Sequence, residues 1–240
     1  NFTYTCGLLK EENMTNLCLS SETYNIDIKD VAVLKDSPLS KKYENRKKIV
    51  ILMGDLEHGL PDTLLCGRKT LNKALKNNKK YVSAKIAFIT KIKFYDFITP
   101  FIKKLRGKYK IWSSNIYHMD PLEIRRLKIE RSFRDKNSAY TFTNPLYRYS
   151  ESERLKRYDN LYNSMKKGFD DNYPVDIMLL RMMGIKDTVN NGHHRIGIAV
   201  ECKLPQISVR FSAAGQAPRL LHPLLRVIAN IAIRIKQIKK

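Results

Sequence analysis

Between Pro174 and Phe211 the chain runs through an order of short segments that few architectures accommodate. Pro174 to Leu180 is an apolar run bounded by turn residues. Thr188-Val189 follows as a short β-branched strand and Asn190-Asn191-Gly192 as a tight turn. A helix then opens on His193-His194-Arg195, and Gln206 to Phe211 forms a further strand. Short apolar runs between turn residues read as buried strands, and a glycine ahead of a helical period lets the chain reverse direction between them. Strands alternating with helices predict an α/β (α+β) fold, a mixed sheet with flanking helices.

The same order appears earlier. Ile49-Val50-Ile51-Leu52-Met53 reads as a strand, Gly67 precedes a helical spacing at Leu71, Ala74 and Leu75, and Tyr81 to Ile89 reads as a second strand. A constant shift of 125 positions lays Asp62-Thr63 on Asp187-Thr188, Gly67 on Gly192, Ala74 on Ala199 and Ser83 on Ser208. Under it, Val50 and Met53 fall on Val175 and Met178. Residues 26–90 are therefore expected to be a degenerate copy of the later unit, with Gly67-Arg68-Lys69-Thr70 at the turn.

The remaining elements follow from local signals. Residues 1–25 are polar and weakly patterned, and Asp30-Val31-Ala32-Val33-Leu34 reads as β-rich. Asp96 to Lys110 looks helical, interrupted by Pro100, and Tyr109 to Trp112 reads as a strand. Asp120-Pro121 predicts an N-cap with proline in the first turn, and Ser150-Glu151-Ser152-Glu153 opens a helix that Gly168 ends. Residues 131–144 read as a connector, Met182 to Lys186 as a turn, and 212–218 as a small-residue linker. Asp55, Glu57 and His58 lie in a polar loop between Gly54 and Gly59. The expected organisation is an N-terminal α/β region over 1–108, a second α/β domain over 109–212 and a basic tail over 213–240.

Charge narrows the partners. Among 240 residues, 45 Lys plus Arg face 23 Asp plus Glu, a formal net charge of +22. Such an excess suits nucleic acid, an anionic membrane or phosphorylated substrates. Cys6, Cys18, Cys66 and Cys202 form no C-x-x-C pair, so a zinc site of usual spacing is not expected and reduced thiols are. Ile86 to Ile102, the most apolar stretch, is interrupted by Lys91, Lys93 and Asp96. From Pro223, Leu224, Leu225, Ile228, Ile231, Ile235 and Ile238 recur at helical spacing without an acidic residue over 219–240. A basic amphipathic helix of this kind is expected to lie on an anionic membrane surface. The expected location is cytoplasmic, peripheral on the inner face of the membrane.

The chemistry converges on the turn at Gly192. A helix N-terminus exposes unpaired amides and partial positive charge, glycine lets a phosphate approach the backbone, and Arg195 offers a bidentate guanidinium. His193 and His194 add donors that titrate near neutrality. The segment Leu161 to Gly168, then Tyr173-Pro174-Val175-Asp176-Ile177, Gly192-His193-His194-Arg195, and Leu204-Pro205-Gln206-Ile207-Ser208-Val209 resembles the ParB/sulfiredoxin-like superfamily over about residues 109–212. The resemblance implies a nucleotide or nucleic-acid phosphate held by Asn191, Gly192, His193, His194 and Arg195. Sulfiredoxins carry a reactive cysteine in this box, where this chain has His193. The partition proteins continue into a helix-turn-helix domain for which few residues follow here.

A kinase-like reading remains, akin to the members of the superfamily that phosphorylate free serine. It implies a nucleoside triphosphate or diphosphate and Mg²⁺, with Asp187 as metal ligand and Glu123, Asp120 and His193 as catalytic residues. The acceptor would be a hydroxyl of a phosphorylated small metabolite or of a membrane-linked saccharide such as lipopolysaccharide core. The alternative is a ParB-like nucleic-acid-binding protein or nuclease.

Overall fold

Caps and glycines decide where most elements begin. The computed structural model describes residues 17–43, 46–89, 111–127, 150–179 and 187–213. In chain order these form β1 (Leu17–Leu19), β2 (Tyr24–Asp27), α1 (Ile28–Ala32), a 3-10 turn at Ser40–Tyr43, β3 (Ile49–Leu52), β4 (Thr63–Cys66), α2 (Arg68–Lys76) and β5 (Tyr81–Ile89). They continue with β6 (Ile111–Trp112), β7 (Tyr117–Met119), α3 (Pro121–Arg125), α4 (Glu151–Met165), β8 (Val175–Leu179), β9 (Thr188–Asn191), α5 (His193–Glu201) and β10 (Ile207–Ala213). The sequence predicted mixed α/β architecture, and a ten-stranded mixed sheet with helices is what is found.

Local chemistry differs from expectation at three places. The stretch read as β-rich becomes α1, because the Asp27 carboxylate caps the amide of Lys29 at 2.9 Å and turns the chain into a helix. The weakly patterned N-terminal region contributes β1 and β2, whose partner β5 lies about sixty residues downstream. Ser212 and Ala213, read as linker, extend β10 because they pair with β6 and β8. Ser150 and Glu153 form the reciprocal capping box that starts α4. The helix expected at Asp96 to Lys110, the connector 131–144, the turn at Met182 to Lys186, and residues 214–240 lie outside the described residues.

The sheet runs β4-β3-β5-β2-β7-β10-β8-β9, with β1 on β5 and β6 on β10. It continues across position 108, so both regions share one core. Its two ends are wired alike. At one, β3 pairs antiparallel with β4 and parallel with β5; at the other, β8 pairs antiparallel with β9 and parallel with β10. Each antiparallel pair carries a register shift, between Val50 and Ile51 and between Asp176 and Ile177. Each is followed by a nine-residue helix entered from a left-handed glycine, Gly67 at φ 94° and Gly192 at φ 96°. Asn78 and Lys203, at φ 50° and 54°, close the two helices.

One detail departs from the gapless alignment. Ile49 lies opposite Ala84 as Val175 lies opposite Val209, so Ile49, not Val50, occupies the place of Val175. Leu52 correspondingly takes the place of Met178. The loop after β3 is one residue longer than its counterpart, and that absorbs the offset.

At the centre, β2 and β7 meet at a single ladder pair, Ile26 with Met119. One sheet face carries the main core, including Ile26, Ile51, Ile86, Tyr117 and Phe211, against Leu71, Ile124 and Ile196 of the helices. Each such side chain contributes about 1.5–3 kcal/mol on burial. Phe211 packs against Tyr24 at 4.9 Å and Tyr117 at 5.6 Å, joining strands from both halves. Among the described residues no helix is long and apolar enough to cross a membrane.

The glycines give a test. A Cβ on Gly67 would stand 2.6 Å from the Cα of Ile49, whereas one on Gly192 would stand 2.9 Å from the side-chain Cγ2 of Val175. Backbone cannot yield as a methyl can. Gly192→Ala is expected to cost about 1–2 kcal/mol and Gly67→Ala about 3 kcal/mol or more. Equilibrium denaturation checks this ordering, and equal costs would contradict it.

Candidate functional site

The turn into α5 is built as the sequence suggested, with a different electrostatic balance. Gly192 is needed for its left-handed backbone and its contact with Val175, and its N–H donates to Asn191 Oδ1 at 2.8 Å. Asn191 thus closes the turn. The first turn of α5 contains no acidic residue and its N-cap offers no side-chain acceptor. Burial pulls the imidazoles of His193 and His194 below their ordinary values, so both are neutral at physiological pH. His193 Nδ1 is buried without a hydrogen-bond partner among the described residues. Arg195 is the cation of the turn. Its Nη1 reaches Pro174 O at 3.4 Å, and burial lowers its guanidinium while Asp170 opposes that shift.

The corresponding turn at α2 is spent on the fold. Arg68 donates to Asp36 through Nε at 2.9 Å and to Leu34 O through Nη2 at 2.6 Å. Thr70 Oγ1 donates to Lys47 O at 2.7 Å.

The carboxylates expected to act in catalysis have structural partners. Asp187 is fully buried. Its Oδ2 accepts from Tyr24 Oη at 2.7 Å and from the amide of Glu22 at 3.0 Å, while its own amide donates to Ser21 Oγ at 2.8 Å. Among the described residues Oδ1 of Asp187 has no partner. A Mg²⁺ ion demands near-octahedral oxygen ligation and retains waters. One orphan oxygen inside the core does not supply that, and among the described residues no three candidate ligand side chains converge. The metal role expected of Asp187 does not fit.

Asp120 accepts from the amide of Leu122 at 2.8 Å and caps α3. Glu123 accepts from the amide of Asn25 at 3.2 Å and from Asn25 Nδ2. Each carboxylate therefore satisfies donors that would otherwise be unpaired, a structural role beside the catalytic one expected of it. The loop residues Asp55 and His58 pair with one another at 2.7 Å, with the histidine largely exposed.

The group that sequence reading missed is His118, on β7. Its Nδ1 lies 3.2 Å from both oxygens of Asp30, its amide donates to Asp30 Oδ2 at 2.5 Å, and its Nε2 lies 3.5 Å from Asp171 Oδ2. Burial alone would lower this imidazole, but the two carboxylates outweigh it and raise it above the ordinary value. Burial likewise raises the Asp30 carboxyl against the bonds from His118. Across the ladder, Ser208 faces His118, and its Oγ is buried without a partner among the described residues.

His118 and Arg195 flank one dipeptide: Asp171 reaches His118, and Asp170 acts on Arg195. Both lie at the same sheet end. β10 lies between β7 and β8, on whose first residue Gly192 packs; in this register Tyr117, Val209 and Val175 share the core face and His118 alternates to the other. No signal local to His118 announces this grouping, because Asp30 and Asp171 are 88 and 53 positions away.

Comparison with protein-family models, with curated proteins and with solved structures finds no match to this chain.

Titration of the imidazole Cε1–H resonances tests the electrostatics. His118 is expected to titrate above 6.5, the ordinary value, and His193 and His194 below it. Asp30→Asn is expected to move His118 down. The sign for stability follows from linkage. A raised imidazole contributes stability fully present below pH 6.5, which is lost as pH rises through the folded value. An unshifted His118 would contradict the pairing.

Proposed function

We propose that this chain is a nucleotide-dependent phosphotransferase that seats phosphate oxygens on the first turn of α5 and acts on an acceptor hydroxyl. The carrying observation is the composition of that turn. A left-handed glycine leads a nine-residue helix whose opening holds His193, His194 and Arg195 and no acidic residue. Stability alone would favour Asp or Glu there, since cationic charge opposes the helix dipole. An anion at the helix's opening turn reverses that penalty. The two neutral histidines can donate hydrogen bonds, and among the described residues His193 Nδ1 has no partner and Arg195 makes a long bond to a carbonyl.

The matching wiring of the two sheet ends supports two copies of one ParB/sulfiredoxin-like unit. In that reading the copy around Gly67 is degenerate, and its Arg68 is neutralised internally by Asp36. The net charge of +22 suits a phosphorylated metabolite or a saccharide presented at an anionic membrane surface. The same charge favours a second reading, a ParB-like nucleic-acid-binding protein or nuclease, whose affinity would fall steeply with salt.

Thermal denaturation with ATP, ADP, CTP and GTP, each with and without added Mg²⁺, separates the two. At a hundredfold excess over Kd a nucleotide is expected to stabilise the fold by about 2.7 kcal/mol, and Arg195→Ala to abolish most of that gain. Salt-sensitive DNA binding without any nucleotide shift would favour the second reading.

A further inference from the structure

The centre of the sheet contains two crossed carboxylate contacts that match in backbone geometry and differ in chemistry. On one side, Glu123 of α3 accepts from the amide of Asn25 on β2 and from its side chain. On the other, Asp30 of α1 accepts from the amide of His118 on β7 and holds its ring. Each carboxylate serves a strand of the opposite half. The neighbouring serines continue the parallel: Ser83 Oγ donates to Asn25 Oδ1, whereas Ser208, across from His118, has no partner for its hydroxyl among the described residues.

A fold needs only an amide acceptor at each place, and Asn25 with Glu123 shows that a non-titrating side chain suffices. The histidine side adds three things that the fold does not require. Its ring is oriented through Nδ1, its second nitrogen faces the largely exposed carboxylate of Asp171, and it lies at the sheet end shared with Arg195.

We infer that His118 is the catalytic proton acceptor for the acceptor hydroxyl, that Asp30 is its positioning residue, and that only this side of the sheet is catalytic. The inference rests on the phosphotransferase reading above. With Nδ1–H donated to Asp30, Nε2 carries the lone pair. Asp171 is 60 % exposed and lies 3.5 Å from Nε2; its carboxylate accepts from that nitrogen only while the ring is protonated, so an entering hydroxyl takes its place at the neutral ring. As the hydroxyl oxygen bonds to the terminal phosphorus of a nucleoside triphosphate, its proton passes to Nε2. The bond from that phosphorus to the bridging oxygen breaks, and the nucleoside diphosphate leaves with the electron pair. The proton returns to solvent past Asp171.

The charged groups acting on the ring are Asp30 from α1 and Asp171 from the loop before β8, with Asp27 acting in turn on Asp30. The contacts with Asp30 and Asp171 both favour the imidazolium. Turnover is therefore expected to rise with pH as the ring loses its proton, with a midpoint above that of an isolated histidine.

The test uses the full chain, ATP as donor, and glycerol or water as acceptor, following ADP release and glycerol phosphate by ³¹P NMR. His118→Gln is expected to lower turnover by about 100-fold or more while the ATP-induced melting shift persists. Asp171→Asn, on an exposed side chain, is expected to move the pH midpoint of turnover down. Asp30→Asn is expected to move the midpoint further down and lower kcat more than it changes KM. If the wild-type chain binds ATP and forms ADP while His118→Gln matches it and Asp171→Asn leaves the midpoint in place, the role of His118 is overturned alone. If the wild-type chain neither binds nor turns over any nucleotide, the phosphotransferase reading falls and takes this inference with it.

Discussion

The sheet depends on carboxylates that cross its centre. Strands β2 and β7 share one ladder pair, too little to join two halves by backbone pairing alone. Asp30 and Glu123 take the amides on either side of that pair. Further out, Asp62 accepts from the amides of Gly54, Ser114 and Asn115 and from Tyr117 Oη, while Asp187 accepts from the amide of Glu22 and from Tyr24 Oη. Each aspartate precedes one end of the sheet and grips a tyrosine from the opposite half. Burial raises the Asp62 carboxyl even against its four donors, and raises Tyr117 well above the ordinary phenol. A buried polar group of this kind is costly when a partner is removed, by about 3–5 kcal/mol for a charged one.

That arrangement gives several conspicuous acids a part in holding the sheet together. Asp187, Glu123 and Asp120 are consumed in making the sheet continuous or in starting a helix. The face away from the main core shows where the halves diverge. Around β3 it is apolar, with Val50, Leu52, Leu65 and Ala87 packed together. Around β8 it is polar, with Asp176 accepting from Ser212 Oγ and Asn190 Nδ2, both at 2.5 Å. Polar groups gather in the half that keeps Arg195 and His118, while the other half spends Arg68 on Asp36.

How much was legible follows from the range of each signal. The apolar runs at β3, β5 and β8, the glycines before α2 and α5, the Asp120-Pro121 start and the Ser150–Glu153 box act over a few residues, and sequence reading found them. β1 and β2 are short, and their pairing with β5 is decided far along the chain. The stretch after Asp27 has strand-forming residues, yet one cap and one helical turn suffice to override them. At the site, the turn at Gly192 was visible because its glycine, histidines and arginine are contiguous. His118 was not, since its meaning comes from Asp30 and Asp171, which only the folded sheet brings to it.

Hydrogen exchange on an Asp62→Ala variant tests the crossed carboxylates most directly. Asp62 belongs to the N-terminal end of the sheet, but its tyrosine partner sits on β7 beside β10. The account predicts that amide protection falls in β3, β4 and β5 and, to a similar extent, in β7, β8 and β10. Loss of protection confined to residues 49–89, with β8 and β10 exchanging as in the parent chain, would contradict it.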